Sequence, residues 1–522
     1  MHQLRALRDE IDASFGASVL SPESSAEQFA FFDANPPAET LLWGANLRRD
    51  SAPTLKLRLL RVDAAAAQAA PQAYTIDCGA EGISLCAATE EGAASACATL
   101  LQLLYFSWDG WRFMLPACSI QDEPIFSWRG FMIDTARHFI PLEDLKRLLS
   151  LAHIYKLNRF HWHLSDDQGW RIELLNKPRA TGVGSMREGG DPNRNGFYTQ
   201  DQVRELVAYA SDRGITIIPE LDLPGHARSI LAGDPDLACT QGPHTVWTSW
   251  GIADDVLCMG NPRSLEFTLA AWDEVCELFP GPYVHIGGDE CPTSRWEACP
   301  RCASRKKELN LANWVDLHGN FLKEVASHLQ AKGKIVFGWD EVLDSAEENV
   351  SNVVHWRAWM PELGALALER GKDLIRAPFS PYYLDLHSRQ VDSAVPAWAH
   401  KAAHACYPRR VHASSIPWGP QRGDLGRRAP PYGAGAPNGP AATWSRGRFL
   451  GIQANAWSEY IRDPRRMDYM LFPRLLALAE TAWMGATRPG WDNFHARLTA
   501  GHCLAPGALL SARSVNYCPL GL

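Results

Sequence analysis

The sequence predicts an α/β protein in which a small α+β domain precedes a (β/α)8 barrel of the TIM type. From about residue 125 onward, short apolar runs typical of buried strands recur along the chain, and most are followed by a helical pattern or a long loop. Acidic residues and tryptophans stand at the ends of nearly all of these runs, which is where such a barrel places its site. We therefore predict domains at residues 1–124 and 125–500, with a tail at 501–522.

The first 124 residues show the pattern of a small sheet with one helix. Alternating or β-branched runs predict strands at 55–62, 74–76 and 83–86. An apolar stretch at 93–105 predicts the helix. This part of the sequence contains no group of acids or histidines that suggests a site.

Eight runs predict the strands of the barrel, and helical patterns separate several of them. The strands are predicted at 130–134, 157–164, 215–221, 283–286, 335–339, 352–356, 373–376 and 451–456. Pro141 favours the first turn of one helix, and Thr199 with Gln202 forms a capping box for another. Further helices are predicted at 314–329 and 466–486. An Arg-, Gly- and Pro-rich stretch at 408–447 predicts a long surface insertion.

Composition excludes several classes of partner. The formal net charge of −8 and pI near 6.1 argue against nucleic acid or an anionic membrane as partner. The sequence has no apolar run long enough to span a bilayer, and its first residues lack the apolar region of a signal peptide. We expect a cytoplasmic protein, or a secreted one whose leader has been removed.

Cysteine usage favours reduced thiols. There are 13 cysteines, an odd number scattered along the chain. Cys291, Cys299 and Cys302 lie close together in sequence, but no fourth ligand follows at the spacing of a zinc finger. We therefore expect these to be ordinary loop thiols, and we predict neither a metal nor another cofactor.

The stretch from 283 to 290 is the most informative in the chain. It reads as a short strand that runs into Gly287-Gly288 and then into Asp289 and Glu290. Neighbouring residues on a regular strand point to opposite sides, so both acids can face one pocket only if the chain turns after Gly288. Burying an unpaired charge is costly, which favours a pocket rather than a core at this point.

The ends of the other predicted strands supply further polar and aromatic residues. In chain order these are Arg137, His138, Asp166, Asp167, His226, Trp339, Trp356, Tyr383, Asp385, Trp457 and Glu459. A tryptophan offers a flat apolar face and one N–H donor, and such faces suit the C–H faces of sugar rings. Arg129 with Asp134 is predicted to form a structural pair at the barrel mouth. Asp222 is predicted to be a turn residue, and Asp340 with Glu341 to begin a helix.

Four segments together resemble the family 20 glycoside hydrolases, which are β-N-acetylhexosaminidases. They are 127–139, the run Phe160-His161-Trp162-His163-Leu164-Ser165-Asp166-Asp167-Gln168-Gly169-Trp170, the Pro-Gly-His segment that ends at His226, and His285-Ile286-Gly287-Gly288-Asp289-Glu290. The resemblance covers about residues 125–500, and the first 124 residues resemble the small domain that precedes the family's barrel. The region near Trp398 and the 408–447 insertion match poorly.

The resemblance implies a role for each site residue. Adjacent carboxylates are badly placed to flank a scissile bond as acid and nucleophile, and this family uses the substrate's own 2-acetamido oxygen as nucleophile. Glu290 is then the general acid and base, Asp289 stays ionised and holds the acetamido N–H, and Tyr383 donates to the acetamido oxygen. The remaining implied substrate-binding residues are Trp339, Trp356 and Trp457 as walls, Arg137 and Glu459 for ring hydroxyls, Asp166 and His226 for tuning the acid, and Asp385 near the non-reducing hydroxyls or the leaving group.

These roles predict an exo-acting, retaining β-N-acetylhexosaminidase that removes terminal non-reducing GlcNAc or GalNAc without a metal. Its expected partner is a carbohydrate with a terminal β-linked N-acetylhexosamine. One alternative is a metal-dependent barrel hydrolase built on His161, His163, His226 and Asp289, although a supporting role for His161 and His163 is favoured. The other alternative is an amino-sugar-binding protein with an inactive site.

Overall fold

A computed structural model of the chain consists of a small N-terminal sheet and a closed barrel. It describes residues 6–7, 10, 40–45, 55–61, 70–79, 82–107, 115, 117–189, 195–345, 351–386, 447–485, 488–499, 510 and 515. Most of the predicted insertion at 408–447 and most of the predicted tail at 501–522 lie outside these residues.

The N-terminal unit is a five-stranded sheet in the order β1-β2-β4-β3-β5. Its strands are β1 Thr40–Ala45, β2 Leu55–Arg61, β3 Tyr74–Gly79, β4 Gly82–Ala87 and β5 Cys118–Asp122. The strands pair antiparallel, except that β2 and β4 are parallel. The helix Glu90–Ser107 follows β4 in the chain. The three predicted strands and the helix are confirmed, whereas β1 and β5 were not predicted.

The barrel consists of eight parallel strands in the order β10-β11-β12-β13-β14-β15-β6-β7. They are β6 Trp128–Asp134, β7 Arg159–His163, β10 Thr216–Glu220, β11 Tyr283–His285, β12 Ile335–Trp339, β13 Asn352–His355, β14 Leu374–Arg376 and β15 Phe449–Ala456. The remaining pair, β8 Ser165–Asp166 and β9 Gly169–Trp170, forms a short antiparallel ribbon after β7. The predicted (β/α)8 barrel is confirmed, and all eight predicted strands form it.

Helices surround the barrel and follow the predicted signals. They span Leu142–Ile154, Pro178–Gly184, Gln200–Asp212, Arg228–Gly233, Pro262–Leu278, Ser294–Glu297, Pro300–Glu308, Trp314–Ala331, Glu362–Glu369, Phe379–Tyr382, Pro464–Leu471, Arg474–Met484 and Trp491–Thr499, with 3-10 turns at Pro235–Leu237 and Asp340–Leu343. The predicted capping box is present: Thr199 accepts from the Gln202 N–H and the Gln202 side chain accepts from the Thr199 N–H. The single helix predicted at 466–486 is two helices, because Pro473 lacks the N–H that a continuous helix needs.

The two units share one packed interface at the bottom of the barrel. Trp483 belongs to the apolar core of the N-terminal sheet, and its indole N–H donates to Asp122 Oδ1 at 2.9 Å. Arg129 also lies here, with its Cζ 4.9 Å from the centre of the Trp483 ring. The predicted pair of Arg129 with Asp134 is therefore wrong, because the two residues stand at opposite ends of β6, about 16 Å apart along an extended strand.

Among the described helices, none combines the length and apolar character that crossing a membrane requires.

Candidate active site

The turn after β11 brings two consecutive carboxyl groups to the C-terminal end of the barrel. Gly287 and Gly288 have φ angles of +67° and +91°, a region that glycine adopts readily. A Cβ on Gly287 would lie 1.9 Å from Asp222 Oδ1, so the position admits only glycine. Glu290 itself has a φ of 43°, and a non-glycine residue held there costs about 1–3 kcal/mol. Such outliers cluster at functional sites, where the surrounding structure maintains them.

Asp289 and Glu290 have contrasting surroundings. Asp289 is only 6% exposed, whereas the Glu290 side chain is 37% exposed. Burial, together with the charges of Asp222 and Glu290, raises the pKa of Asp289 well above its usual value, and the charge of His226 only partly opposes this. This shift opposes the expected ionisation of Asp289, which stays a prediction.

Asp222 was predicted to be a turn residue, but it also lies beside Asp289 and acts on its pKa. Its Oδ1 accepts the Gly288 N–H at 3.0 Å, and burial raises its pKa to about 7. Asp222 Oδ2 and Asp289 Oδ1 are buried oxygens without a hydrogen-bond partner among the described residues. The two carboxyl groups lie close enough to share a proton, which contributes to the raised pKa of Asp289. Because neither oxygen receives a donor from another described side chain or from the backbone, a ligand N–H can bind here.

A chain of charged contacts leads from Arg137 to Glu290. Arg137 Nη2 lies 2.8 Å from Asp166 Oδ2, and Asp166 Oδ1 lies 3.1 Å from His226 Nδ1. His226 Nε2 in turn lies 3.8 Å from Glu290 Oε2. The sequence-predicted residues Arg137, Asp166, His226 and Glu290 are thus brought together.

The residues of this series of contacts determine one another's protonation. Burial alone would raise the pKa of Asp166, but Arg137 and His226 outweigh it and hold that pKa well below its usual range. Burial would lower the pKa of His226, but Asp166 and then Asp222 raise it well above its usual value. At neutral pH, Asp166 is therefore an anion and His226 is a cation next to Glu290.

Sequence analysis missed the role of Glu220, which lies beneath this chain. Its carboxylate oxygens lie 2.5 Å from His163 Nδ1, 3.0 Å from His161 Nε2 and 3.0 Å from His285 Nδ1. The indole N–H of Trp339 donates to it at 2.8 Å. Glu220 lies opposite both His163 and His285 in the parallel register, which only the order of the barrel strands reveals.

The histidines around Glu220 differ in charge. Burial would raise the pKa of Glu220, but His163 and His285 hold it well below its usual value. The pKa of His163 is raised well above its usual value by Glu220 and Asp166, against the effect of burial. Burial lowers the pKa of His161 to about 4. Glu220 with His163 is therefore a buried ion pair, and His161 is neutral.

These contacts bear on the predicted metal alternative. His163 uses both ring nitrogens, since Nδ1 faces Glu220 and Nε2 lies 3.0 Å from Asp166 Oδ2. A protonated imidazole has no lone pair to give to a metal. His163 therefore fits poorly as a ligand of a catalytic metal. The supporting role of His161, which is neutral, stays a prediction.

Aromatic rings line one side of the site. The rings of Trp356 and Tyr383 are stacked with centroids 6.3 Å apart, and Tyr383 lies 6.2 Å from Trp457. The Arg137 guanidinium lies over Trp457 at 4.9 Å. Trp339 packs behind Trp457 at 5.9 Å and has no exposed surface. Direct contact of Trp339 with a substrate stays a prediction, whereas its contact with Glu220 is observed.

Tyr383 and two further acids, Asp385 and Glu459, lie next to these rings. Burial and the charge of Asp289 raise the pKa of Tyr383, which remains a hydroxyl donor. Asp385 Oδ1 accepts the backbone N–H of Trp457 at 3.3 Å, and burial with the charge of Glu459 raises the pKa of Asp385 to about 8. Burial also raises the pKa of Glu459, although the charge of Arg137 opposes it.

Glu341 is an acid of the site that the sequence assigned only to a helix start. The 3-10 turn Asp340–Leu343 confirms that start. Glu341 Oε2 accepts the indole N–H of Trp356 at 2.9 Å. Burial, followed by the charges of Asp289 and Asp340, raises the pKa of Glu341 well above its usual value. Glu341 therefore orients Trp356, and it lies close enough to Asp289 for the two carboxyl groups to oppose each other's ionisation.

The candidate site lies at the C-terminal ends of the parallel barrel strands, where barrel enzymes have their active sites, and a pair of carboxyl groups is typical of glycoside hydrolases. Comparison with known proteins specifies the family. The chain belongs to glycosyl hydrolase family 20: residues 126–486 match the catalytic domain of that family, and residues 2–123 match its domain 2.

Curated relatives and solved structures agree with this assignment. A beta-hexosaminidase of Porphyromonas gingivalis is 38% identical over 437 residues, which are 82% of this chain and 52% of the relative. One from Akkermansia muciniphila is 31% identical over 492 residues, 92% of each chain. A Vibrio harveyi exo beta-N-acetylglucosaminidase solved with N-acetylglucosamine has a TM-score of 0.71 and 32% identity, covering 86% of this chain and 68% of that one.

Some of these relatives are longer proteins. The chain spans 52% of the Porphyromonas gingivalis relative and 64% of a beta-hexosaminidase of Vibrio furnissii. Family membership therefore concerns the two domains present here.

Proposed function

We propose that the chain is an exo-acting, retaining β-N-acetylhexosaminidase. Its substrate is a carbohydrate with a terminal, non-reducing, β-linked N-acetylhexosamine. The observation that carries the proposal is Asp289 Oδ1, a buried oxygen without a hydrogen-bond partner among the described residues, one residue before the exposed acid Glu290. An acetamido N–H supplies the donor that this oxygen needs.

In the first step, the acetamido oxygen of the bound sugar attacks its own anomeric carbon. Glu290 gives its proton to the glycosidic oxygen, so the aglycone leaves as an alcohol. The sugar becomes a bicyclic oxazolinium ion. Asp289 accepts the acetamido N–H, and a carboxylate there stabilises the positive charge that develops.

In the second step, water attacks the anomeric carbon from the face that the aglycone left. Glu290, now a carboxylate, takes a proton from that water. The bond between the anomeric carbon and the acetamido oxygen breaks, and the acetamido group is restored. Two inversions give net retention of configuration.

The ionisation of Asp289 is coupled to this chemistry. In the pocket alone, its pKa is raised by burial and by Asp222. A cationic intermediate favours the charged form of an adjacent carboxyl group.

A pocket for one terminal sugar accounts for the other residues. Arg137 lies over the Trp457 ring, and the charge of Glu459 acts on it. In this proposal, Arg137 and Glu459 bind sugar hydroxyls by charge-assisted hydrogen bonds. Trp356 and Trp457 provide the apolar faces, and Tyr383 provides a hydroxyl near Asp289.

Hydrolysis of an aryl β-N-acetylglucosaminide in EDTA tests the proposal, with wild type and Asp289→Asn compared side by side. We expect strong wild-type turnover and a loss of about 10²–10³-fold in kcat for the variant, as for removal of one stabilising group at developing charge. Asp236→Asn is the control, because this exposed side chain lies in a 3-10 turn and pairs with Arg263 at the protein surface. Absence of wild-type turnover, on both the gluco and the galacto substrate, would contradict the proposal.

A further inference from the structure

Four cysteines converge outside the proposed active site. The sulfur atoms of Cys239, Cys258, Cys299 and Cys302 all lie within 4.8 Å of one another. The measured separations are 3.6 Å between Cys239 and Cys302, 3.6 Å between Cys258 and Cys302, and 3.9 Å between Cys258 and Cys299. Three of the four side chains are buried, and Cys239 is half-buried.

These separations match the edges of a tetrahedral thiolate site. With Zn–S bonds of about 2.3 Å, sulfur atoms at tetrahedral corners are about 3.8 Å apart. From this geometry we propose that the four cysteines bind one structural Zn²⁺ ion. The site has four protein ligands and no open position, which is typical of a structural zinc and not of a catalytic one.

Two local motifs present the ligands. Cys299 and Cys302 form a Cys-x-x-Cys pair at the start of the helix Pro300–Glu308. Cys239 and Cys258 each follow one residue of the antiparallel bridge between Ala238 and Leu257. The bridge thus positions Cys239 and Cys258, and the start of the helix positions Cys299 and Cys302.

The backbone around the cluster is built for close approach. A Cβ on Gly260 would lie 2.1 Å from the carbonyl carbon of Arg301, so only glycine lets the two segments come this near. The Gly260 N–H points to the Cys302 sulfur at 3.4 Å. The charge of Arg301 acts on Cys258 and Cys299. An N–H donor and a guanidinium both stabilise thiolates, the form that binds zinc.

A disulfide explains the arrangement less well. A disulfide needs two sulfur atoms about 2.05 Å apart, whereas Cys302 lies 3.6 Å from two different partners. Ordinary packing of thiols does not require four sulfur atoms within 4.8 Å of one another. All ten cysteines of the described residues are free thiols, and four of them meet at this one point.

Zinc at this position would join the two loops that carry the proposed acid and its histidine. Cys239 and Cys258 belong to the segment after β10, which also contains His226. Cys299 and Cys302 belong to the segment after β11, which also contains Glu290. A hydrogen bond already joins the two segments, since the Trp296 indole N–H donates to Leu257 O at 2.8 Å. The zinc would therefore hold His226 and Glu290 in their relative positions, without contact with the substrate.

Metal analysis of the untagged wild-type protein, produced in zinc-containing medium with reductant, is the first test. We expect about one zinc per chain after gel filtration, because a closed tetrathiolate site holds its ion through purification. We also expect a mercurial thiol reagent to release that zinc and to lower Tm. Protein produced with cobalt in place of zinc should show the intense visible absorption of tetrahedral cobalt thiolate. A wild type without stoichiometric zinc, or a cobalt form with the weak spectrum of octahedral oxygen ligation, would overturn the proposal.

Matched serine variants locate the ion. Cys299→Ser/Cys302→Ser should lose the zinc. Cys276→Ser should keep it, because Cys276 is half-buried in the helix Pro262–Leu278 and outside the cluster. Equal zinc content in the two variants would overturn the assignment of ligands. So would peptide mapping that finds a disulfide between any two of the four cysteines in the wild type. The wild-type measurements decide the question even if the double variant does not fold.

Discussion

The His226 imidazole Nε2 lies 3.8 Å from Glu290 Oε2. His226 is held as a cation by Asp166, and its own φ of 46° places it in the same strained region as Glu290, at 43°. Two strained residues with facing side chains indicate that the fold maintains this contact against a local cost. We infer that His226 positions Glu290 and responds to its change of charge between the two proposed steps.

Glu290→Gln removes the proposed acid while keeping size and shape. We expect turnover of a glycoside with an alkyl leaving group to fall about 10²–10⁴-fold. Formation of the intermediate from a dinitrophenyl glycoside should be nearly unchanged, because that leaving group departs without a proton. Pre-steady-state release of the phenol separates the two cases. Wild-type turnover of the alkyl glycoside by the variant would show that Glu290 is not the acid.

Asp222→Asn should move the acid limb of the pH profile of kcat/KM to lower pH. The raised pKa of Asp289 means that its active, ionised form is lost as pH falls through that pKa. Removing the charge of Asp222 lowers the pKa of Asp289, so activity should persist to more acidic pH. The asparagine oxygen can still accept the Gly288 N–H. An acid limb that stays in place or moves upward would contradict the coupling of Asp222 to Asp289.

Two adjacent tyrosines offer a matched pair of variants. Tyr383→Phe should lower kcat about 10²–10³-fold, since the hydroxyl is proposed to donate to the acetamido oxygen as that oxygen attacks. The hydroxyl of Tyr382 is buried with no hydrogen-bond partner among the described residues. Tyr382→Phe should therefore leave kcat unchanged. Steady-state kinetics of the two variants on one substrate decides this, and equal effects would reject the role given to Tyr383.

Much of the site was predictable because parallel strands of a barrel end at one edge. Acids and tryptophans at the ends of the predicted strands, from Arg137 to Glu459, therefore meet once the fold is known. Arg129 and Asp134 were misjudged for the same reason, since residues at opposite ends of one strand face opposite ends of the barrel. The helix break was readable from Pro473.

Contacts between distant segments could not be predicted. Glu220 meets His163, His161 and His285 only because β10 lies between β7 and β11 in the closed barrel. The cysteine cluster similarly joins Cys239 to Cys302, which are 63 residues apart. The ligands of zinc fingers follow one another at short spacings, so a pair this far apart in sequence does not match that pattern. The domain boundaries, the cytoplasmic location and the insertion at 408–447 stay predictions.

Glu220→Gln should be among the most destabilising single changes in the barrel. Glu220 balances the buried charge of His163, and losing one partner of a buried ion pair costs about 3–5 kcal/mol. Urea unfolding should show this loss at neutral pH. Because deprotonating His163 relieves the unpaired charge, the loss should become smaller as pH rises. Glu308→Gln, on an exposed helix position, should change stability by less than about 0.5 kcal/mol.

A loss below about 1 kcal/mol for Glu220→Gln would mean that His163 is neutral in the folded protein. The ion pair assigned to Glu220 would then be wrong, although the hydrogen bond from Trp339 would remain.

The proposed mechanism depends on the acetamido oxygen of the substrate as the nucleophile. A series of substrates in which the acetamido methyl carries zero to three fluorines tests this role. Each fluorine withdraws electrons from the acetamido oxygen and weakens it as a nucleophile, while the leaving group stays the same. We expect kcat/KM of the wild-type enzyme to fall steeply and steadily along the series. Rates that do not depend on fluorine number would contradict it, because the bond to the anomeric carbon would then be formed by a group of the protein or by water.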